Sequence, residues 1–402
     1  MHIIVGMVMT QQEISFESVL KNPIYKNRDL IYALNPPTGL LHRTEQKNEL
    51  VVELAPILMN SAVSCIFVYE NPGTGKTSLI LELAEKLSGE AEKSDVEFKK
   101  LYVNCSENRT ETTILIDLLQ QLNPEKEYPR LGWNRAKAIE EFQKELDKKE
   151  QNVLIVLDEV DYALKESGDD ILYRLSRINE SNYKTKVSTV IISNDIRASE
   201  YIKPRTQSAF GRVKIIFNPY NAEELEDILK DRVKLALKPN VCSDAVLKKI
   251  AEIEASRGGD ARRALELVDA CAKITMSRNE TKITLDVVSE ADATLENNSI
   301  INTIASLTKH QKILYLTMLK NQKKALVGGD VYKEYAELCK QYNIEPLTER
   351  MIRSFFINFT DLGLIKSEVG WLSTQKKKIR KITFNLEKAL FKKAEKLLRD
   401  TV

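Results

Sequence analysis

A chain of 402 residues exceeds what one compact core holds, so it divides into two or three domains, each long enough to bury a core. With 43% hydrophobic and 29% charged residues, no low-complexity tract and no internal repeat, the composition is that of a soluble globular protein, not of a disordered or repeat architecture. The longest apolar runs, such as VLIVL, fall far short of a membrane span, and a formal net charge of +2 selects no class of partner.

The distribution of that charge is more informative. From Ile301 to Val402 there are 20 Lys+Arg against 10 Asp+Glu, a net +10, while the first 300 residues carry a net −8. Such asymmetry points to a nucleic-acid-facing C-terminal part, although a solvated basic surface has the same composition. The five cysteines (Cys65, Cys105, Cys242, Cys271, Cys339) are odd in number and scattered, with no CxxC or Cys/His spacing. They read as reduced, buried thiols of a cytosolic protein and not as a zinc site.

In chain order, the opening MHIIVGMVM is apolar but lacks a cationic flank and a small-residue cleavage site. It is a poor signal peptide, and a start at Met7 or Met9 is the plain explanation. From about Leu50 to Phe217 the runs CIFVY, LYVNC, VLIVLDE, VSTVIIS and VKIIF read as buried parallel strands. The segments between them repeat apolar residues at helical spacing, which predicts a three-layer α/β domain with ligands at the carboxyl ends of the strands.

The first run continues into ENPGTGKTS. Glycines in GTGKT let backbone N–H groups turn inward around β and γ phosphates, Lys76 adds a point charge, and Thr77 offers a hydroxyl to magnesium. Pro72, Gly73, Thr74, Gly75, Lys76, Thr77 and Ser78 form the expected phosphate loop. Glu70 stands where such loops open with glycine. If that position required positive φ, the cost would be about 1–2 kcal/mol. A carboxylate about 10 Å from one phosphate charge adds roughly 1.7 kcal/mol at an effective dielectric of 20. The inner cradle is intact, so nucleotide binding is expected despite Glu70.

In VLIVLDEVD, Asp158 and Glu159 end a second strand; Asp158 would hold magnesium through water, and Glu159 would act as general base on the attacking water. Asn194, ending STVIISN, would orient that water, and Arg262 in GGDARRALEL, at a helix start, would reach back over the phosphates. Singly, each is more readily read as a strand-end polar residue or a surface arginine; in this order they are hard to read otherwise.

After FNPYN the strand pattern stops. AEELEDILKDRVKLAL and SDAVLKKIAEIEA are helical, and a lid domain follows to about Asn298. Beyond it, KHQKILYLTML, VYKEYAELCKQ and ERMIRSFFINFTDL precede a basic hairpin, GLIKSEVGWLSTQKKKIRKITFNL, the winged-helix pattern. In the third helix Ile352, Phe355, Phe356, Phe359 and Leu362 share an apolar face, while Arg350, Arg353 and Asn358 lie towards the other, as a major-groove recognition helix needs. The wing concentrates Lys376, Lys377, Lys378, Arg380 and Lys381 for phosphate or minor-groove contact.

Taken together, GTGKT, LDEVD, ISND, FNPYN and GDARRAL resemble, in this order, the AAA-plus ATPases. More narrowly, they and the flanking LNPPTGLLHRTEQKNEL, IKPRTQSAFGRVKIIFNPYNAEELEDIL and TERMIRSFFINFTDLGLI resemble the archaeal replication initiators related to the origin recognition complex and the Cdc-type helicase loaders. The resemblance implies an AAA-plus base (1–218) with a helical insertion near 106–145, a helical lid (219–298) and a winged-helix domain (299–402). It implies ATP or ADP with Mg2+ as cofactors, and it gives Lys76 and Thr77 the Walker A role, Asp158 and Glu159 the Walker B role, Asn194 sensor one and Arg262 sensor two. Tyr220 of FNPYN joins the nucleotide pocket, and the inter-subunit arginine maps to Arg205, with Arg212 as second choice. Arg130, Trp133, Arg135 and Lys137 of the insertion become DNA contacts, though a packed Trp133 and solvated cations account for that stretch equally well.

The expected protein is a slow, switch-like ATPase of the cytoplasm, associated with the nucleoid. Its expected partners are double-stranded origin DNA, other initiator subunits on that DNA and the replicative helicase. One alternative is a nucleotide-locked winged-helix paralogue without significant ATPase. Another, a remodeller that threads protein, fits less well, because CSENRTETTILI has no aromatic-glycine pore loop.

Overall fold

The computed structural model describes residues 24–33, 39–63, 65–69, 72–129, 132–181, 183–209, 213–320, 328–372, 377–386 and 390–402. The opening stretch, Glu70, Arg130, Arg212 and Lys376 lie outside the described residues, and of Lys377, Lys378, Arg380 and Lys381 the backbone alone is described. The chain forms two units, Met1–Val288 and Ser289–Val402, and the division falls inside one helix, Leu285–Ser306.

In the first unit the five apolar runs form strands β1 (Ile66–Tyr69), β2 (Phe98–Asn104), β3 (Gln151–Asp158), β4 (Thr185–Ser193) and β5 (Lys214–Ile216), as expected. They pair in parallel in the order β2-β3-β4-β1-β5. Both faces of the central strands are covered, which is why IFVY of β1 and VLIVL of β3 are continuously apolar, whereas the edge strands β2 and β5 carry Lys99, Lys100 and Lys214. Along β3, Val153, Ile155 and Leu157 enter one core, while Leu154 and Val156 enter the other.

The short α1 (Asp29–Tyr32) and α2 (Thr44–Leu54) precede the sheet. Helix α3 (Lys76–Lys93) lays Leu79, Ile80, Leu83 and Leu87 on the second core. On the opposite face lie α4 (Glu111–Leu122), started by a Thr110–Thr113 capping box, and α5 (Arg135–Leu146). Next come α6 (Val160–Ser167), α7 (Asp170–Ser176) and α8 (Pro204–Ala209). The lid consists of α9 (Ala222–Ala236), α10 (Asp244–Arg257) and α11 (Ala261–Ser277).

Ile24–Ala33 was expected in the base, yet it is knitted to the lid. Lys26 and Asn27 donate backbone N–H groups to the Ala236 carbonyl at 2.8 and 3.1 Å, and Arg232 Nη1 donates to the Leu30 carbonyl at 3.0 Å. The segment closes back on the lid helices before the chain enters the base.

After α12 (Leu285–Ser306), the second unit has α13 (Lys309–Lys320), α14 (Gly328–Gln341) and α15 (Glu349–Asp361), then an antiparallel hairpin of β6 (Ile365–Leu372) and β7 (Lys377–Phe384). Tyr315, Phe356, Phe359 and Ile365 fill its core, with Tyr315 edge-on to Phe359 at 5.4 Å. A further helix, α16 (Phe391–Thr401), follows the hairpin and buries Ala394 and Leu398; the sequence reading ended the motif at the hairpin and missed it. Among the described residues, no helix is long and apolar enough to cross a membrane. No disulfide joins any of the five cysteines; Cys242 is only half-buried, and burial pushes its thiol up to about 12.

Candidate nucleotide and nucleic-acid sites

Three strand ends build the first site. Because β4 lies between β1 and β3, with Tyr69 in register with Ser193 and Leu157 with Ile191, Asn194 emerges between the phosphate loop and the Asp158–Glu159 pair. In the loop, Gly73 and Gly75 have φ of +75° and +88°, the left-handed region where a Cβ is costly. Gly75 caps α3, so the N-terminus of an eighteen-residue helix opens into the site, the positive end of its dipole being suited to phosphate. Lys76 is buried, with Nζ 3.3 Å from Thr74 Oγ1.

At the acidic end, Thr77 Oγ1 donates to Asp158 Oδ2 at 2.8 Å, and the Tyr102 hydroxyl donates to the same oxygen at 2.9 Å. Burial, followed by the Asp158 charge, raises the Tyr102 pKa, so its hydroxyl stays a donor. A hydroxyl and a carboxylate converging this closely are hard oxygen ligands fit for Mg2+. Among the described residues, no group of three or more His, Cys, Asp or Glu could hold a metal.

Glu159 is not glycine yet has φ of 53° and ψ of 40°, held by its N–H donating to Asp158 Oδ1 at 2.9 Å. Asn194 Nδ2 points to Glu159 Oε1 at 3.4 Å. Buried Asp161 accepts from the Asn194 N–H at 3.2 Å and from Ser193 Oγ at 3.1 Å, which fixes the end of β4.

The lid meets this loop directly. Asp260 caps α11 by accepting from the N–H groups of Arg262 and Arg263 at 2.8 and 3.1 Å, and the Ala261 N–H donates to the Gly73 carbonyl at 3.2 Å. A Cβ on Gly73 would fall 1.7 Å from Asp260 Oδ1, so glycine is also what lets the lid approach. Arg43, buried, donates to the carbonyls of Thr74 at 2.9 Å and Asn218 at 2.7 Å and lies 3.7 Å from the Tyr220 ring centroid. Desolvation lowers its pKa, but a guanidinium remains charged at any ordinary pH.

The result is a cavity of about 530 Å³ lined by Pro72, Gly73, Thr74, Gly75, Lys76, Thr77, Ser78, Asp158, Glu159, Asn194, Tyr220 and Arg262, which were read from the sequence. It is also lined by Leu40, in the flanking segment that the resemblance puts near the adenine, and by Ile31, Tyr32, Tyr102, Asn104, Asp231, Arg232 and Glu266, which were not read from the sequence. Asn104 was accessible to the strand-end rule that found Asn194, and Asp161 stood unassigned in the quoted LDEVD. Nothing local marks Arg43 or Tyr102.

Arg205 lies outside this cavity. It ion-pairs with Asp170 at 2.9 Å and stacks 4.9 Å from the Tyr173 ring in a second concavity, which also contains Arg135, Arg174 and Arg177. Arg135 is paired with Glu111 and with Asp170 at 3.1 Å, and Lys137 with Glu141 at 2.9 Å. Trp133 packs on the base core, edge-on to Tyr128 at 5.9 Å, so the packed alternative describes it.

The AAA domain model matches residues 59–198, the Cdc6 AAA+ ATPase-type lid domain 226–293, and the CDC6 C-terminal winged helix domain 302–394. The ORC1-type DNA replication protein of Thermococcus onnurineus is 36% identical over 351 residues, 86% of this chain and 85% of the relative. Its counterpart from Sulfolobus acidocaldarius, ORC1-type DNA replication protein 1, is 37% identical over 351 residues, 87% of each. The chain belongs to the ORC1-type DNA replication protein family. The structure of the Aeropyrum pernix ORC1 protein in complex with DNA agrees with a TM-score of 0.83 at 29% identity, covering 94% of this chain and 97% of that one.

In the winged helix of this ORC1-type chain, α15 buries Ile352, Phe356 and Phe359 and exposes Arg350 and Arg353. Arg353 is 73% exposed, and its pair with Glu349 at 2.9 Å is an exposed helical pair of little worth, readily exchanged for phosphate or a base edge. Two expectations need correction. Asn358 is half-buried and accepts from Gln311 Nε2 at 3.0 Å, tied to α13 and not turned outward. Leu362, expected on the apolar face, is exposed: it caps the helix, and at 100° per residue it falls at the edge of the stripe that Ile352, Phe356 and Phe359 bury.

Proposed function

We propose that this chain is an ATP-regulated replication initiator that binds double-stranded origin DNA, assembles with other initiator subunits there and helps load the replicative helicase. The observation that carries the proposal is one cavity joining GTGKT, the Asp158–Glu159 pair, Asn194 and the lid's Arg262, in a family member whose other unit exposes arginines on a winged-helix third helix. ATP or ADP binds with Mg2+ held by Thr77 and Asp158. Lys76 and Arg262 compensate phosphate charge, and the contact of Asp260 and Ala261 with Gly73 makes lid position depend on what the loop holds.

Hydrolysis uses Glu159 as base and Asn194 to orient water, with Arg205 supplied by a second copy, because in its own chain Arg205 is docked on Asp170 outside the cavity. A lone monomer is therefore slow, and the protein works as a switch, in the cytoplasm on nucleoid DNA. Base, lid and winged helix correspond to the segments 1–218, 219–298 and 299–402, with Ile24–Ala33 joined to the lid. Arg350 and Arg353 meet the major groove. Lys376, Lys377, Lys378 and Arg380 meet backbone, and Arg130, Arg135 and Lys137 form a secondary contact after Arg135 and Lys137 exchange their carboxylate partners.

Footprinting on genomic DNA with ATP and with ADP tests this reading, and a nucleotide-dependent protected site is the expected result. Replacing Lys376, Lys377 and Lys378 by alanine weakens binding to every duplex and flattens the slope of log K against log salt by up to about 2.7, at ~0.9 per phosphate contact. An unchanged slope removes the wing from the DNA grip.

A further inference from the structure

The outward stripe of α15 holds more than cations. At 100° per residue, Arg350, Ser354, Ile357 and Asp361 line up opposite the buried Ile352, Phe356 and Phe359. Ile357 stands in the middle of that stripe, 59% exposed, and Met351 at its edge is 48% exposed. Among the described residues, neither belongs to the unit's core or to the side chains packed against it. A β-branched residue at an exposed helix position does nothing for the helix itself, which Ala, Lys or Glu would favour more.

We propose that Ile357, flanked by Met351, reads thymine C5-methyl groups in the major groove, so that the preferred duplex carries thymine beside the position met by Arg350. The inference rests on α15 being the DNA-facing helix. In that groove thymine alone among the four bases presents a methyl group, and polar side chains cannot distinguish it by hydrogen bonding, whereas an apolar branched side chain gains by burying it. Charge favours a polyanion at this face: Arg350 and Arg353 border Ile357, and although Glu349 and Asp361 offset them on the helix itself, the C-terminal part as a whole carries net +10. An apolar protein partner would have to bury the Arg350 guanidinium and the Arg353–Glu349 pair with nothing polar to meet them.

The test uses the full chain. A preferred duplex is selected from a random pool, and each thymine is then replaced singly by deoxyuridine, which removes only the methyl. At one or two positions affinity should fall about three- to fivefold, the value of one buried methyl. Ile357→Ala or Met351→Ala should lose affinity for the parent duplex and become indifferent to uracil at its position. Circular dichroism should stay unchanged, since both side chains are exposed. Selective binding with no uracil effect overturns the inference and leaves the DNA-binding reading standing. So does binding without sequence preference, or a uracil effect that persists undiminished in both variants. Failure to bind any duplex at low salt removes the DNA-binding reading and the inference with it.

Discussion

Glu159→Gln should retain nucleotide binding and slow hydrolysis by about a hundredfold or more, the usual worth of a positioned general base. The backbone at Glu159 supports this role independently of motif position. A non-glycine residue in the left-handed region costs about 1–2 kcal/mol, and it persists here because Asp158 Oδ1 accepts the Glu159 N–H while Val160 opens the next helix. That conformation turns a half-exposed carboxylate into the cavity and brings it to Asn194. Glutamine preserves the shape and the Asn194 contact but cannot take a proton from water. Lys76→Ala, by contrast, should abolish saturable binding, because a buried ammonium at the phosphate loop is lost. Titration with a fluorescent nucleotide and a phosphate-release assay separate the two. A Glu159→Gln protein that hydrolyses at the normal rate has its base elsewhere.

The phosphate loop was legible because its chemistry is contiguous: two glycines, Lys76 and Thr77 must follow one another, and the strand before them had to be apolar on both faces. Asp158, Glu159 and Asn194 were legible as a cluster because parallel strands end at one edge of the sheet, where the cavity lies. Side chains that act across the chain left no such trace. Arg43 reaches Thr74 and Asn218, and Asp260 sits against Gly73, through contacts that the fold alone creates. Helix α16 was missed for a different reason. FKKAEKLLRD is dominated by charge, and its buried positions Ala394 and Leu398 are too few to stand out from a solvated basic tail.

Among polar residues a large stability effect should come from Asp269→Ala, at a residue the sequence reading passed over. Its side chain is 1% exposed on α11. It accepts from Arg28 Nε at 3.0 Å and Nη2 at 2.9 Å and from the Tyr25 hydroxyl at 2.8 Å, with Lys273 Nζ at 2.6 Å. Burial opposes its ionisation, but hydrogen bonds from Arg28, Lys273, Tyr25 and Tyr32 outweigh that and hold the carboxyl well below the usual range. Arg28 and Lys273 are about half exposed and regain water when the carboxylate is removed, so the expected loss is roughly 1.5–3 kcal/mol, the worth of a charge-assisted hydrogen-bond set. The folded-state pKa is depressed, so this stabilisation is fully present above the ordinary Asp value of about 3.9 and disappears as pH falls towards the folded value. Urea midpoints of the two proteins should therefore differ at pH 7 and converge below about pH 4. Equal midpoints at pH 7 would remove the anchoring role. The same contacts hold Ile31 and Tyr32 in the wall of the nucleotide cavity, through a segment that reaches the lid some 240 residues later in sequence. Asp269→Ala should consequently weaken nucleotide binding as well, at a distance from every phosphate-binding residue. A variant that is destabilised yet binds nucleotide at full affinity would show that Ile24–Ala33 braces the lid without shaping the pocket.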